Sequence, residues 1–413
     1  MFDICLFDLD DTLVRTSDLK EIREACKRNS DPQRLHALTE QLEAEDGRHI
    51  YSIELLRRIR AEFPQLKLGV FTRSPQSYAL TVLDWAYPGF QWDIVVAYES
   101  VERTKPYGDG IDLAMATFDV DRLDRVVLVG DNDVDVSAGY HCGCVVALDS
   151  SAWPYRKEPM HWNAVGLVPD AVIDAPEGLL GVLRRPLSHL PELERLLADG
   201  EPSQMPRFDK INHFVPQVAG GDRSAYPIYV AGRSFANYES VKYRKQWHAL
   251  TESIGDNKEA DVFPDEWIAA IRHFIDNHYV VWFGVLRVVV SVVPHRPGRK
   301  ARLEMLLKQL EQSVEERPIE GFEIICQPEL LAYKQGVKSQ HNDYLGRDER
   351  FMNVRDHLYV RNPEEVAENT SYLVIDDVTT TGASLIYAGK YLNAIGIKDV
   401  TRLSLTKNIG KIV

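Results

Sequence analysis

The sequence predicts an α/β protein of two domains, each a mainly parallel sheet flanked by helices, on three observations. Short apolar runs alternate with amphipathic stretches along all 413 residues, the pattern of strands joined by helical crossovers. Two of these runs end in acidic segments, Phe7-Asp8-Leu9-Asp10-Asp11-Thr12 and Val374-Ile375-Asp376-Asp377-Val378-Thr379-Thr380-Thr381-Gly382. Carboxylates at the carboxyl ends of buried parallel strands lie where open α/β sheets bind ligands. The length also exceeds what one core organises, which argues for two domains.

The first domain carries strand-like runs at 2–6, 67–71, 94–97, 125–129, 144–148 and 171–173. Residues 15–50 form a small helical insert, highly charged from 18 onward. The intervals between the strand-end segments leave no room for a large folded cap, so the pocket is expected to be open, shaded by the insert or by the second domain. Pro186, Pro191, Gly200, Pro202 and Pro206 then break a polar stretch. They set the domains at 1–200 and 201–413. In the second domain the runs are 228–231, 279–283, 288–293, 322–326, 372–375 and 400–405, with helices over 265–277, 302–315 and 385–394. Tyr279, Trp282 and Phe283 are expected in the core, and Gly220-Gly221 in a turn. His141-Cys142-Gly143-Cys144 lacks a second ligand pair and reads as packing.

Composition narrows the functional classes. Hydrophobic residues make up 45% of the chain, enough for two cores. No run of about 18 apolar residues occurs, so no membrane span is expected. The start runs directly into a strand without a basic region, so no secretory signal is expected and the location is read as cytoplasmic. Cys5, Cys26, Cys142, Cys144 and Cys326 fit reduced thiols better than a disulfide framework. A net charge of -14 argues against nucleic acid as the main partner. A homo-oligomer is compatible with this composition.

Four features of the first domain converge on one chemistry. Asp8-Leu9-Asp10-Asp11-Thr12 follows the first strand, Thr72-Arg73-Ser74 the second, Lys105-Pro106 the third and Gly130-Asp131-Asn132-Asp133-Val134-Asp135 the fourth. Any single Asp of this kind also serves as a helix cap; the ordered set resembles the haloacid dehalogenase superfamily over roughly residues 1–185. The resemblance implies a phosphohydrolase in which Asp8 attacks phosphorus and Asp10 protonates the leaving oxygen and then activates water. Thr72 would bond the phosphoryl group and Lys105 would offset its charge. Asp8, Asp10 and Asp131 would hold Mg²⁺, a hard ion that prefers oxygen ligands, with Asp135 ordering the shell around the metal.

In the second domain the run through Asp376 and Asp377 leads into hydroxyl and small residues at a helix start. These present backbone N–H groups and hydroxyls to a phosphate, aided by the helix dipole. The acidic pair suits a ribose diol or Mg²⁺. The segment resembles the phosphoribosyl pyrophosphate (PRPP) motif of type I phosphoribosyltransferases, and the resemblance covers roughly 225–413. It implies that Asp376 and Asp377 contact the ribose hydroxyls and that Thr379, Thr380, Thr381, Gly382, Ala383 and Ser384 cradle the 5'-phosphate. The basic turn with Arg296, Arg299 and Lys300 is similar to the pyrophosphate loop of that family. Tyr333-Lys334-Gln335-Gly336-Val337-Lys338-Ser339-Gln340 and Arg347-Asp348-Glu349-Arg350-Phe351-Met352-Asn353 resemble the flexible loop of the subgroup related to DNA-uptake competence proteins. Arg296, Arg299, Lys300, Lys334 and Lys338 would then stabilise pyrophosphate, although each taken singly reads as a solvated surface charge.

The two resemblances together imply a bifunctional Mg²⁺-dependent enzyme, a phosphatase and a phosphoribosyltransferase acting on nucleotide or nucleoside-like metabolites. Its partners would be a phosphorylated small molecule and PRPP or a ribonucleotide. The alternative is a regulatory or stress- and defence-associated protein whose second domain senses PRPP or a nucleotide and controls the phosphatase, since a fold does not fix a reaction.

Overall fold

The computed structural model describes residues 1–27, 31–201, 205–212, 224–338, 345–366 and 370–412; Pro202, Gly220-Gly221, Ser339 and Gln340 lie outside them. The chain divides into two units. One takes Met1–His189 with Phe235–Trp247 and Gly410–Val413, the other Leu190–Ser234 with His248–Ile409. Each is α/β with a mainly parallel sheet, as the sequence predicts.

The sheet of the first unit contains β1 (Ile4–Phe7), β2 (Lys67–Phe71), β3 (Ile94–Val96), β4 (Val126–Gly130), β5 (Val145–Asp149) and β6 (Ala171–Ile173) in the spatial order 3-2-1-4-5-6. Every pairing is parallel, with Phe7 opposite both Val70 and Val129. Alternation along the strands splits the core in two. Cys5, Phe7, Val127 and Val129 join one apolar cluster, whereas Ile4, Leu6, Val126 and Leu128 join the other. With both faces covered, the strands read as continuous apolar runs. Strand order reverses between β1 and β4, which makes their carboxyl ends the switch point where such sheets bind ligands.

Helices α1 (Lys20–Cys26) and α2 (Pro32–Glu43) form the insert, followed by α3 (Ile53–Glu62), α4 (Gln76–Ala86), α5 (Asp109–Thr117), α6 (Asp133–Cys142), α7 (Pro159–Gly166) and α8 (Gly178–Arg184). Asn132 caps α6 by accepting the Val134 N–H at 3.1 Å, and Gly143, at φ 98°, ends it in the left-handed conformation that glycine adopts without strain. The insert is anchored by Arg48, which is 2% exposed. Its guanidinium donates to both carboxylate oxygens of Asp18 at 2.8 Å and to the carbonyls of Arg15, Gln41 and Leu42.

In the second unit α9 (Glu192–Leu197) precedes β7 (Asp209–Ile211), β8 (Ile228–Val230) and β9 (Arg233–Phe235). A short turn of helix, α10 (Lys242–Lys245), falls in the segment that belongs to the first unit. Then follow α11 (Ala249–Asp256), α12 (Asp265–His278), β10 (Leu286–Val292), α13 (Arg302–Glu316), β11 (Phe322–Cys326), β12 (Leu331–Tyr333), α14 (Arg347–His357), β13 (Leu358–Val360), β14 (Ser371–Thr379), α15 (Ala383–Ala394) and β15 (Val400–Ile409). The sheet order is β11-β10-β14-β15-β8-β7, with β9 on β15, while β12 and β13 form an antiparallel pair apart from it. Only the pairing of β7 with β8 is antiparallel among the pairings along that order.

Two expectations change here. The run 279–283 is not a strand: it links α12 to β10 and pairs with no strand among the described residues. Tyr279 is buried, but Trp282 and Phe283 are 82% and 97% exposed, so these two aromatics are surface and not core. Strand-forming side chains without a partner edge do not make a strand. Second, β14 continues past Ile375 to Thr379, with Asp376 opposite Ser404 and Thr379 opposite Lys407. The acidic pair therefore sits within a paired strand. The cysteines are all free thiols, and among the described residues no helix is long and apolar enough to cross a membrane.

Candidate functional sites

The first site grows from the carboxyl ends of β1 and β4. Asp8, the residue after β1, donates its backbone N–H to Val129 O at 2.8 Å, which fixes its carboxylate beside the start of α6. Beyond it the chain turns sharply: Leu13 N–H returns to Leu9 O at 3.0 Å, and Asp11 adopts φ 58°. The Asp11 carboxylate stabilises this conformation by accepting from Thr16 N–H at 3.1 Å and from Ser17 Oγ at 2.7 Å. After β4, Gly130 allows the next carboxylate in. A Cβ at this position would lie 2.2 Å from Asp135 Cγ, so only glycine permits Asp135 to pack against the strand.

Carboxylate oxygens of Asp8, Asp131 and Asp135 fall within 4.8 Å of one another, and all three residues are buried. Lys105 Nζ bridges two of them, at 2.7 Å from Asp8 Oδ1 and 2.6 Å from Asp135 Oδ1. Thr12 Oγ1 and Asn132 Nδ2 donate to Asp131 Oδ1 at 3.3 and 3.2 Å, and Trp153 Nε1 donates to the Asp131 carbonyl at 2.7 Å. Burial pushes the Asp8 carboxyl up to about 7; Lys105 pulls it down, and Asp135 and Asp10 push it further up. Burial likewise drives Asp131 well above the carboxylate range, reinforced by Asp135 and Asp8. On Lys105 burial acts downward, but the attraction of Asp135 and Asp8 prevails and the ammonium is held charged. Carboxylates that burial makes reluctant to ionise, gathered as hard oxygen donors, fit a divalent cation, whose charge reverses that reluctance.

Asp10 stands outside this group. Its Oδ1 accepts from Thr16 Oγ1 at 2.7 Å and Tyr78 OH at 3.1 Å, its Oδ2 accepts from Ser74 Oγ, and Arg23 Nη1 lies 3.1 Å from Oδ1. Thr72 is buried at the end of β2, its oxygen accepting from Ser74 N–H at 3.1 Å. Its own proton thus remains available to a ligand. Of the residues assigned no role from the sequence, Thr12, Ser74 and Asn132 lie within the strand-end segments themselves. Arg23 and Tyr78 lie on helices whose local sequence gives no sign of what they meet across the fold.

The second site lies at the carboxyl ends of β10 and β14, again neighbours in the sheet. Burial pushes the Asp376 carboxyl up to about 7, with Arg302 and Arg296 drawing it down. Arg302, from the first turn of α13, forms an ion pair with Asp377. Thr379 Oγ1 and Arg296 Nε are buried without a hydrogen-bond partner. Gly382, at φ 75°, starts α15. Tyr333 OH donates to Ser384 Oγ at 3.3 Å. Lys407 Nζ donates to Thr380 O at 3.1 Å, and burial draws its ammonium down to about 8, with Arg347 adding to the effect. The predicted cations are not all gathered here. Arg299, Lys300, Lys334 and Lys338 are exposed, and Lys300 is turned to Asp261 at 2.7 Å. Arg302 and Lys407 were missed because neither lies in the motif segments.

No family model matches the chain, and no curated protein matches it. Solved structures resemble it in part. A haloacid dehalogenase-superfamily hydrolase of subfamily IA, variant 1, from Geobacter sulfurreducens PCA is 14% identical, with 44% of this chain and 100% of that one covered and a TM-score of 0.29. CbbY from Rhodobacter sphaeroides, in complex with xylulose-(1,5)bisphosphate, is 18% identical over 43% of this chain and 96% of that one, with a TM-score of 0.33. YfnB from Bacillus subtilis, described as a haloacid dehalogenase-type hydrolase bound to magnesium, is 14% identical over 45% and 99%, with a TM-score of 0.31.

Proposed function

We propose that the first unit is a Mg²⁺-dependent phosphomonoesterase of the haloacid dehalogenase type. The observation that carries this reading is the buried triad Asp8, Asp131 and Asp135 with Lys105 bridging two of its members. Asp8, Asp131 and Asp135 would hold Mg²⁺, which when bound offsets the charge between phosphate and carboxylates. Lys105 fixes Asp8 Oδ1, while the other Asp8 oxygen takes no hydrogen bond among the described residues and is the one suited to attack phosphorus. The attack forms an aspartyl-phosphate on Asp8 and breaks the bond to the ester oxygen. Asp10 gives that oxygen its proton and then takes one from the water that hydrolyses the aspartyl-phosphate. Thr72 donates its hydroxyl proton to a phosphoryl oxygen. In the test, the purified protein with Mg²⁺ releases phosphate from a panel of phosphomonoesters and Asp8→Asn abolishes release. Unchanged release by the variant would refute the mechanism.

We propose that the second unit binds a ribose 5-phosphate group at Asp376, Asp377 and the 379–384 segment, as a phosphoribosyltransferase using PRPP. Support comes from the buried, unpartnered Thr379 Oγ1 beside the start of α15 and from the acidic pair at the strand end. Arg302, followed by Arg296, is the cation that acts on Asp376. The grip of Arg302 on Asp377 favours a second reading, a sensor that releases this contact on binding PRPP or a nucleotide and so controls the phosphatase. Calorimetry with PRPP and Mg²⁺, run beside a pyrophosphate assay over the common nucleobases, separates them. Binding with pyrophosphate release supports transfer, binding without release supports sensing, and no binding refutes both.

A further inference from the structure

The insert brings a cation to the phosphatase centre that the chemistry of hydrolysis does not require. Asp10 already accepts hydrogen bonds from the hydroxyls of Thr16, Tyr78 and Ser74, so its carboxylate is satisfied without Arg23. Arg23 nevertheless reaches Asp10 Oδ1 at 3.1 Å from helix α1, with its side chain 24% exposed. That is its only polar contact among the described residues, so the rest of its planar fork of N–H donors is uncommitted. Such a fork matches carboxylate and phosphate groups two bonds at a time. Lys105 cannot serve this purpose, because it is 3% exposed and spent on Asp8 and Asp135.

The path of α1 supports the same conclusion. Lys27 lies four residues beyond Arg23, on the same side of the helix, with its ammonium 5.0 Å from the centre of the Tyr98 ring. Tyr98 N–H donates to Ser74 O at 2.9 Å, and Ser74 is the residue whose hydroxyl holds Asp10. Helix α1 thus connects the surroundings of Asp10 to Tyr98, with Lys27 paired to Glu24 at 3.4 Å and Arg23 left as the cation with donors to spare. A simple phosphomonoester needs neither, since the reacting phosphoryl group is served by Thr72, Lys105 and the metal. A substrate with a second anionic group beyond the ester oxygen has a use for Arg23.

Resting on the phosphatase reading, we propose that Arg23 is a specificity-determining residue which selects phosphomonoesters bearing a second anionic group, phosphate or carboxylate, close to the ester oxygen. Arg23 binds that group through its free donors.

The test compares three substrates with the full chain and Mg²⁺: phenyl phosphate, an alkyl bisphosphate and a phosphorylated hydroxy acid. Wild type should favour the latter two in kcat/KM, and whichever is preferred identifies the second anion. Because a charge-assisted hydrogen bond lost from such a contact is worth roughly a 10- to 100-fold change, Arg23→Ala should lower the ratio of kcat/KM for the preferred substrate to that for phenyl phosphate at least tenfold, chiefly through KM. Arg23→Lys should restore part of the ratio. Phosphate release from phenyl phosphate by the variants shows that they are folded. A ratio unchanged in Arg23→Ala, or no wild-type preference for a second anion, overturns the proposal alone. Wild type inert on all three substrates overturns the phosphatase reading and the proposal with it.

Discussion

Replacing Lys105 with methionine removes the one cation buried among three carboxylates, and the geometry gives the scale of the result. With an effective dielectric of about 20, unit charges 2.6–2.7 Å apart attract by roughly 6 kcal/mol. The two contacts of Lys105 therefore supply about 12 kcal/mol. Carboxylate oxygens no farther apart than 4.8 Å repel by at least about 3.5 kcal/mol for each ionised pair; burial and this repulsion together hold Asp131 well above the carboxylate range. Lys105 thus outweighs the repulsion between Asp8 and Asp135, the two carboxylates it bridges. Without it the folded protein relieves the repulsion by taking up protons, so the measured loss should be that of a broken buried pair, about 3–5 kcal/mol. Urea unfolding of Lys105→Met in EDTA should show this loss. Saturating Mg²⁺ should recover more than half of it, because a divalent cation among the same oxygens does the work of the missing ammonium and binds only the folded state. Equal losses with and without Mg²⁺, or a loss below about 1 kcal/mol, would refute the account of the triad as a cation site balanced by Lys105.

The other predictions concern the insert and the second site. Arg48→Met should cost about 3 kcal/mol in the local stability of the insert, read as an increase of about 100-fold in amide exchange in α1 and α2 with β1 and β4 unaffected; a uniform increase across the unit would contradict the anchoring role. Asp376→Asn should raise stability at pH 8. The folded carboxyl titrates near 7 and the unfolded one near 3.9, so the cost of its charge is full above pH 7 and absent below about 4. Allowing for the partial exposure of Asp376, the gain should be about 2 kcal/mol at pH 8 and fade as pH falls through that window. A gain that does not vary with pH would show that burial is not its source.

Much of the architecture was legible because buried parallel strands leave a strong mark. The run Lys67–Phe71 coincides with an observed strand, and the runs 125–129 and 144–148 fall within one residue of the fully buried strands Val126–Gly130 and Val145–Asp149, since covering both faces of a sheet demands apolar residues. Three-residue strands such as Arg233–Phe235 and Leu331–Tyr333 are too brief to show a period and depend on their partners. Trp282 and Phe283 misled for a related reason, because side-chain type reports a preference for burial, while burial itself depends on a neighbour. At the sites, residues supplied by strand ends were readable from their spacing. Arg23, Tyr78, Arg302 and Lys407 arrive from helices or a distant strand, and their sequence neighbours carry no record of the carboxylate or loop that each one meets.

The return of Phe235–Trp247 to the first unit bears on how this chain can be divided or recombined. Arg244 is fully buried there, paired with Asp170 and donating to the Cys144 carbonyl, with Trp247 stacked on its guanidinium at 4.1 Å. Gly143 leaves room for this segment, since a Cβ there would lie 2.9 Å from the Arg244 nitrogen. A gene split at codon 200 would separate the buried Asp170 carboxylate from the Arg244 guanidinium. Shuffling either half onto another protein would therefore have to carry the 235–247 segment in trans, so the two units are expected to be inherited together as one gene.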